Sequence, residues 1–460
     1  MPRDQQGLPV TGSAGSIAAL DTAITDYFAW RGDPVAVLQD AVQSDPAFTL
    51  GHSAVAALLA LNGLRGDNPA IISAIRAAEA SIGGATPRER GHLAAAKAWA
   101  AGEIIAATDI WESILVDHPT DALALRFAHD SYFYLGHSAS IRDSVARVLP
   151  NWDSSNPNYG FVLGQYAFGL EETGELRRAE EFGRRAIESN AEDAWAVHAV
   201  AHVLETESRQ LEGIEFLKGS RPAWGKAHAL SVHNGWHLAL YLIEEARFAE
   251  VLADYDRYIQ PKLAADSLLD LIDASALLWR IELAGGEAGD RWGPVADQWL
   301  THVDDHVLVF NDLHIALALS RAGRRDGLDR LLRSLDDYAS HGKGDNRDVT
   351  VDVGRRIIDG AVAFADGDFS RTVELILPVR YKVTHIGGSH AQRDLVTQTL
   401  IAAAERSGNF NLARALLAER LAVRPTERTR QAYIRAETRA AAHQPIERRS
   451  EQLGSAHSAH

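Results

Sequence analysis

The residues of this chain best placed to do chemistry are four histidines and a glutamate. His198 and His202 stand four apart, and Glu205 follows three later. On a helix these three fall within about 60° of one another, on one face. His233 and His237 repeat the four-residue spacing, and the steps from His198 to His233 and from His202 to His237 are both 35 residues. Imidazoles at i, i+4 can chelate a divalent transition metal, with a carboxylate one turn on as a third ligand; neutral imidazole suits zinc, iron or nickel. Without a metal, the same groups can serve as general acid and base, because histidine titrates near neutral pH. The plain alternative is that the histidines sit in a polar groove and bond to backbone or to each other. No HExxH occurs, so this is not the helix of an ordinary zinc protease.

A 35-residue step is close to the tetratricopeptide period of about 34. It predicts two neighbouring parallel helices carrying the His pairs at matching places, facing the same way. Other small-residue spacings agree. Gly102, Ala107 and Pro119 are separated by 5 and 12 residues, as are Gly408, Ala413 and Pro425, while Gly174, Ala179 and Ala186 give 5 and 7. A small residue lets the chain turn, alanine lets two helices approach, and proline closes the unit. Helical patterns run from near Ser16 to about Ala441, joined by short links such as RGDP, GGATP and SNPN, with no convincing run of alternating strand residues. The fold class expected is all-α: a tetratricopeptide-like superhelix of helical hairpins. The pattern is plainest across 86–260, present across 360–425 and faint elsewhere. In the unit that starts at Ala194, Trp195, His198, His202 and Glu205 take positions 2, 5, 9 and 12, which line the concave groove of such repeats. Phe161, Phe168 and Glu171 hold equivalent places in the preceding unit.

Three further stretches bear on chemistry. In LLDLIDASALLWRIEL, Asp270, Asp273 and Arg280 share one face; Asp273 could orient a histidine, or the stripe could be a simple intrahelical ion pair. FNDLHIALAL opens another helix with Asn311, Asp312 and His314. Here Asn311 or Asp312 could be the N-cap, and His314 could face the groove. In GGSHAQRD, Ser389 and Gln392 have capping-box spacing, and the free N–H groups of that helix end, with His390, Arg393 and Asp394, would suit an anion. The candidate catalytic set is therefore His198, His202, Glu205, His233, His237, Asp273 and His314. Trp195, Trp236, Asn311, Asp312, His390, Arg393 and Asp394 are candidates for substrate contact.

Composition narrows the classes. The chain has 460 residues, a formal net charge of −16 and no long basic run, which argues against nucleic acid or an anionic membrane as partner. It has no cysteine, so disulfide and thiolate chemistry are excluded. No apolar leader and no run of about 18 apolar residues appear, and the expected location is the cytoplasm. The expected layout is a flexible start at 1–14, one helical superhelix at 15–441 and a disordered tail at 442–460.

Several blocks together resemble the tetratricopeptide repeat protein 38 family: HAVAHVLETE (198–207), HNGWHLALYLIE (233–244), LIDASALLWRIEL (271–283), NDLHIALAL (311–319), LPVRYKVTHIGGSHAQRD (377–394) and GNFNLARALLAERLAVRP (408–425). The resemblance spans most of the chain and implies an α-helical superhelix, but no reaction. The function expected from the residues is an enzyme acting on a small molecule in the concave channel, by acid–base or metal-assisted hydrolysis or elimination. The alternative is a binding or scaffold protein holding a peptide or partner helix there; the oligomeric state stays open, a homodimer included. A closed pocket would favour the enzyme, and an open trough the scaffold.

Overall fold

The computed structural model describes residues 1–442, and these are helical almost throughout, with no strand beyond an isolated bridge between Arg3 and Pro9. Of the tail expected at 442–460, Ala442 ends the last helix and the rest lies outside the described residues. The architecture is the expected all-α superhelix of helical hairpins.

Helices alternate between two layers, and their sequences explain which layer each joins. Inner helices such as Ala194–Thr206, Ala229–Glu244 and Leu268–Leu283 bury nearly every side chain. Outer helices bury one stripe: in Leu176–Ser189 only Ala179, Gly183 and Ala186 are buried. That stripe has the 4-and-3 spacing of a single helix face, and its small side chains let the outer helix lie close on the inner layer. The helix Ala194–Thr206 starts where it does because Asp193 caps it, its carboxylate accepting from Trp195 N at 3.0 Å and Ala196 N at 2.9 Å.

The superhelix closes on itself, so the inner helices are covered on both sides. On one side Asp345 N–H donates to Gly102 O at 3.0 Å, and Arg65 Nη1 donates to Asp304 O at 2.8 Å. Through the middle, residues 377–395 lie across the concave surface. Gly388 N–H donates to Phe133 O at 3.1 Å, His390 N–H to a Glu172 carboxylate oxygen at 2.8 Å, and Arg280 Nη2 to Gln392 O at 3.0 Å. The concave face is thus filled by the chain's own later helices.

The start of the chain departs from expectation. Residues 1–14 are anchored: Val10 is fully buried, Thr11 N–H donates to Glu89 at 2.8 Å, and Asp4 pairs with Arg88 at 3.0 Å. Arg88 is itself buried, and Asp4 and Asp121 are the carboxylates that neutralise it. Among the described residues no helix is long and apolar enough to cross a membrane.

Candidate functional site

The helices Ala194–Thr206 and Ala229–Glu244 lie side by side and present their His pairs to one another. The four rings of His198, His202, His233 and His237 are buried, and one ring nitrogen from each lies within 4.8 Å of the others. His198 is central: its Nε2 stands 3.0 Å from His202 Nε2 and 3.1 Å from His233 Nε2. Its ring centroid lies 5.0 Å from that of His237.

Each of the other three histidines has a carboxylate at its far nitrogen. Both Asp273 oxygens lie 2.9 Å from His233 Nδ1, Glu205 Oε2 lies 3.1 Å from His237 Nδ1, and Glu171 Oε2 stands 3.3 Å from His202 Nδ1. An Nδ1–H held by a carboxylate leaves Nε2 with its lone pair directed inward. His237 Nε2, His198 Nδ1 and His202 Nδ1 are buried without a hydrogen-bond partner, the 3.3 Å approach of Glu171 Oε2 to His202 Nδ1 lacking the angle of a hydrogen bond.

The charges follow from burial and neighbours. Burial, then the surrounding imidazoles, hold His198 and His237 well below the usual histidine range. Burial pushes Asp273 up against the pull of His233. Burial also works on Glu205, but Arg424 and His237 outweigh it and keep the carboxylate well below its ordinary range. His390 Nε2–H donates to Glu171 Oε1 at 2.7 Å, and burial, which would lower His390, loses to Glu171 and Glu172, so it is raised. Glu171, Glu172, His202 and His390 form a second group with ligand atoms within 4.8 Å of one another, joined to the first through His202.

His198 and His233 also face a chamber of about 440 Å³ at the centre of the ring. Its wall is mainly aromatic and aliphatic, from Tyr27 and Trp30 through Trp195 and Ile272 to Phe310 and Ile386. Trp30 stacks on Trp195 with centroids 5.9 Å apart. Polar residues are the minority: besides the two histidines, Asp130, Ser267, Asn311, Gln392 and the tyrosines Tyr27 and Tyr134 line it. Asp130 takes Tyr27 Oη at 2.5 Å and Arg126 Nε at 2.9 Å. Exposed Asn62 and Asp266 mark the rim, where a surface hollow of about 400 Å³ shares Gly63 and Leu268 with the chamber.

The expected residues divide accordingly. His198, His202, Glu205, His233 and His237 are brought together as the spacing predicts, Asp273 joins them by orienting His233, and Trp195 and Asn311 line the chamber. His314 is elsewhere: its Nδ1 lies 2.7 Å from Phe310 O of its own helix, and burial pushes it down to about 4. Trp236 is buried behind His233, stacked at 5.3 Å, outside the chamber wall. Asp312 turns away to His306 Nδ1 at 3.0 Å, and neither it nor Asn311 is a cap, because Asn346 Oδ1 accepts from Val309 N at 2.8 Å. Ser389 and Gln392 do form the capping box, but the anion at that helix end is Glu172 of the same chain. Arg393 reaches Glu172 at 3.4 Å and Asp394 pairs with Arg420 at 2.8 Å, so both serve the closure. Arg280 likewise makes no pair with Asp270 or Asp273 and bonds across to Ala391 O and Gln392 O.

Sequence reasoning left several residues out of the site. Glu171 was legible, standing 34 residues before Glu205 at the same repeat position. Arg424 carries no local signal and is brought in only by closure of the ring, whereas Gln392 was marked only as a cap and Arg126 and Asp130 only by the i, i+4 spacing of an ion pair.

No protein-family model matches this sequence. Among solved structures, the crystal structure of the yeast Tom70 is similar over 95% of this chain and 99% of that one, at 13% identity and a TM-score of 0.34. At that distance the likeness does not bear on what this chain binds.

Proposed function

We propose that the central chamber binds a small, largely apolar molecule and that the protein is an enzyme that acts on it through the histidine network. The observation that carries this is a chamber of about 440 Å³ with two network histidines, His198 and His233, in its wall. That volume falls within the roughly 300–1,000 Å³ usual for small-molecule sites, and few polar groups in an apolar wall are what orient such ligands. The pair Asp273–His233 is a carboxylate-oriented imidazole facing the ligand space, the arrangement that holds a general base in one tautomer. Hydrolysis or elimination is the reaction class it suits, with His198 as the neighbouring proton carrier. The resemblance to the tetratricopeptide repeat protein 38 family and a cytoplasmic location belong to the same proposal.

A scaffold function is the second reading, and the helical-hairpin superhelix itself supports it, because such folds present a concave surface to peptides or helices. It requires residues 377–395 to leave the groove that they fill.

A test is turnover of a panel of uncharged aryl esters, amides and β-hydroxy acids by wild type, Ile272→Trp and His233→Gln. Ile272 lines the chamber, so tryptophan there fills it. Turnover by wild type alone supports the enzyme. No turnover, combined with retention on a peptide array that Ile272→Trp leaves unchanged, transfers the function to the scaffold reading.

A further inference from the structure

Neutral imidazole carries one N–H, and two of these four histidines, His233 and His237, place theirs on a carboxylate, while His202 Nδ1 stands near Glu171 without a hydrogen bond. Asp273 and Glu205 accept from His233 and His237 at 2.9 and 3.1 Å, and Glu171 stands 3.3 Å from His202 Nδ1. The Nε2 lone pairs of His233 and His237 then converge on one buried point, and the fourth ring, His198, brings at most one proton to share between His202 and His233. His237 Nε2 receives none and is buried without a partner. Converging buried lone pairs are costly unless a positive centre or a donor sits among them. A cation that accepts lone pairs satisfies all of them at once.

The spacing fits such a centre. Imidazole nitrogens about 2.05 Å from a tetrahedral zinc stand about 3.3 Å apart. Two pairs, from His198 Nε2 to its neighbours, stand at 3.0 and 3.1 Å, and all four ligand atoms lie within 4.8 Å of one another, so an ion would open the short pairs and draw the longer ones in. The three carboxylates are the outer partners that metal-bound imidazoles usually have, fixing tautomer and ring direction.

We propose that His198, His202, His233 and His237 bind one divalent transition-metal ion, with Asp273, Glu205 and Glu171 as the outer carboxylates that aim three of the ligands. The all-imidazole set selects zinc, cobalt, nickel or iron over magnesium or calcium, which take oxygen. Because His198 and His233 also line the chamber, the ion would border the ligand space. The inference rests on the proposed function only for its purpose and not for its geometry, and it selects the metal-assisted form of that chemistry, because an ion on the Nε2 atoms of His198 and His233 would take the lone pairs that a general base needs.

The experiment uses the full chain with no affinity tag, stripped with a chelator and titrated with Zn²⁺ or Co²⁺. Expected are one equivalent bound per chain, a rise in melting temperature, and a visible-region Co²⁺ spectrum of tetrahedral nitrogen ligation. His237→Ala and His202→Ala should lose all three. Asp273→Asn should keep the stoichiometry and weaken affinity 10–100-fold. His314→Ala, buried outside the cluster, should bind as wild type does. Wild type that takes up neither ion overturns the proposal whether or not any variant folds, as does binding that survives in His202→Ala/His237→Ala. Ile272→Trp separates the two ideas. Metal bound with no turnover of any small molecule leaves the ion and removes the enzyme. Turnover by protein that takes up neither ion does the reverse.

Discussion

Gly387→Ala should loosen the closure that makes the chamber. Gly387 sits at φ 83° and ψ −168°, a region that only glycine occupies readily. A β-carbon there would stand 2.3 Å from the carbonyl oxygen of Tyr134 and 2.9 Å from its carbonyl carbon. Both are backbone atoms at the end of the helix Ala122–Leu135, so no rotamer change can make room. The conformation alone costs roughly 1–3 kcal/mol. The segment must also move off Tyr134, which breaks the 3.1 Å bond from Gly388 N–H to Phe133 O and adds about 0.5–1.5 kcal/mol. The expected loss is roughly 2–4 kcal/mol. Gly408→Ala is the control: its φ is +80°, yet no atom lies within 4 Å of the new β-carbon. It should cost roughly 1–2 kcal/mol, the conformational part alone. Urea unfolding followed by circular dichroism compares the two. Acrylamide quenching of tryptophan should rise in Gly387→Ala only, because Trp30, Trp99 and Trp195 line the chamber that the segment covers. Equal losses at the two positions, with equal quenching, would refute the claim that the closure rests on this contact.

Two further outcomes follow from buried charge. Arg126 is fully buried, bonded to Asp130 and lying 4.9 Å from the centre of the Tyr27 ring. Arg126→Met should cost about 3–5 kcal/mol by stranding Asp130, and Arg126→Met/Asp130→Asn should recover much of it, as measured by urea unfolding. His314 is pushed down to about 4 by burial, so between pH 6.5 and about 4 the unfolded chain binds a proton that the native state refuses. Its contribution is present above pH 6.5 and is lost as pH falls toward 4, about 3 kcal/mol in all. Stability of His314→Gln measured across that interval should fall less steeply than that of wild type by this amount.

How much was legible in the sequence depends on the range of the interaction. The 35-residue step between the His pairs placed four imidazoles on adjoining helices, because a repeat transmits its register from one hairpin to the next. The same periodicity put Glu205 and Glu171 at matching positions and marked the Ala179 and Ala186 stripe on its outer helix. Local rules also found the Ser389–Gln392 capping box. They misplaced His314, Asp312 and Arg393, whose spacing admits either a groove or a structural partner and whose actual partners are Phe310 O, His306 and Glu172. Closure of the ring was decided only by tertiary structure. The contacts from His390 to Glu171 and Glu172, from Arg424 to Glu205 and from Gly388 to Phe133 join residues more than 200 positions apart. No period in the sequence encodes such contacts. Helical spacing sets which face a side chain takes, while the summed rotation between successive hairpins sets what that face meets. That rotation turned a groove that could have stayed open into a chamber with histidines in its wall.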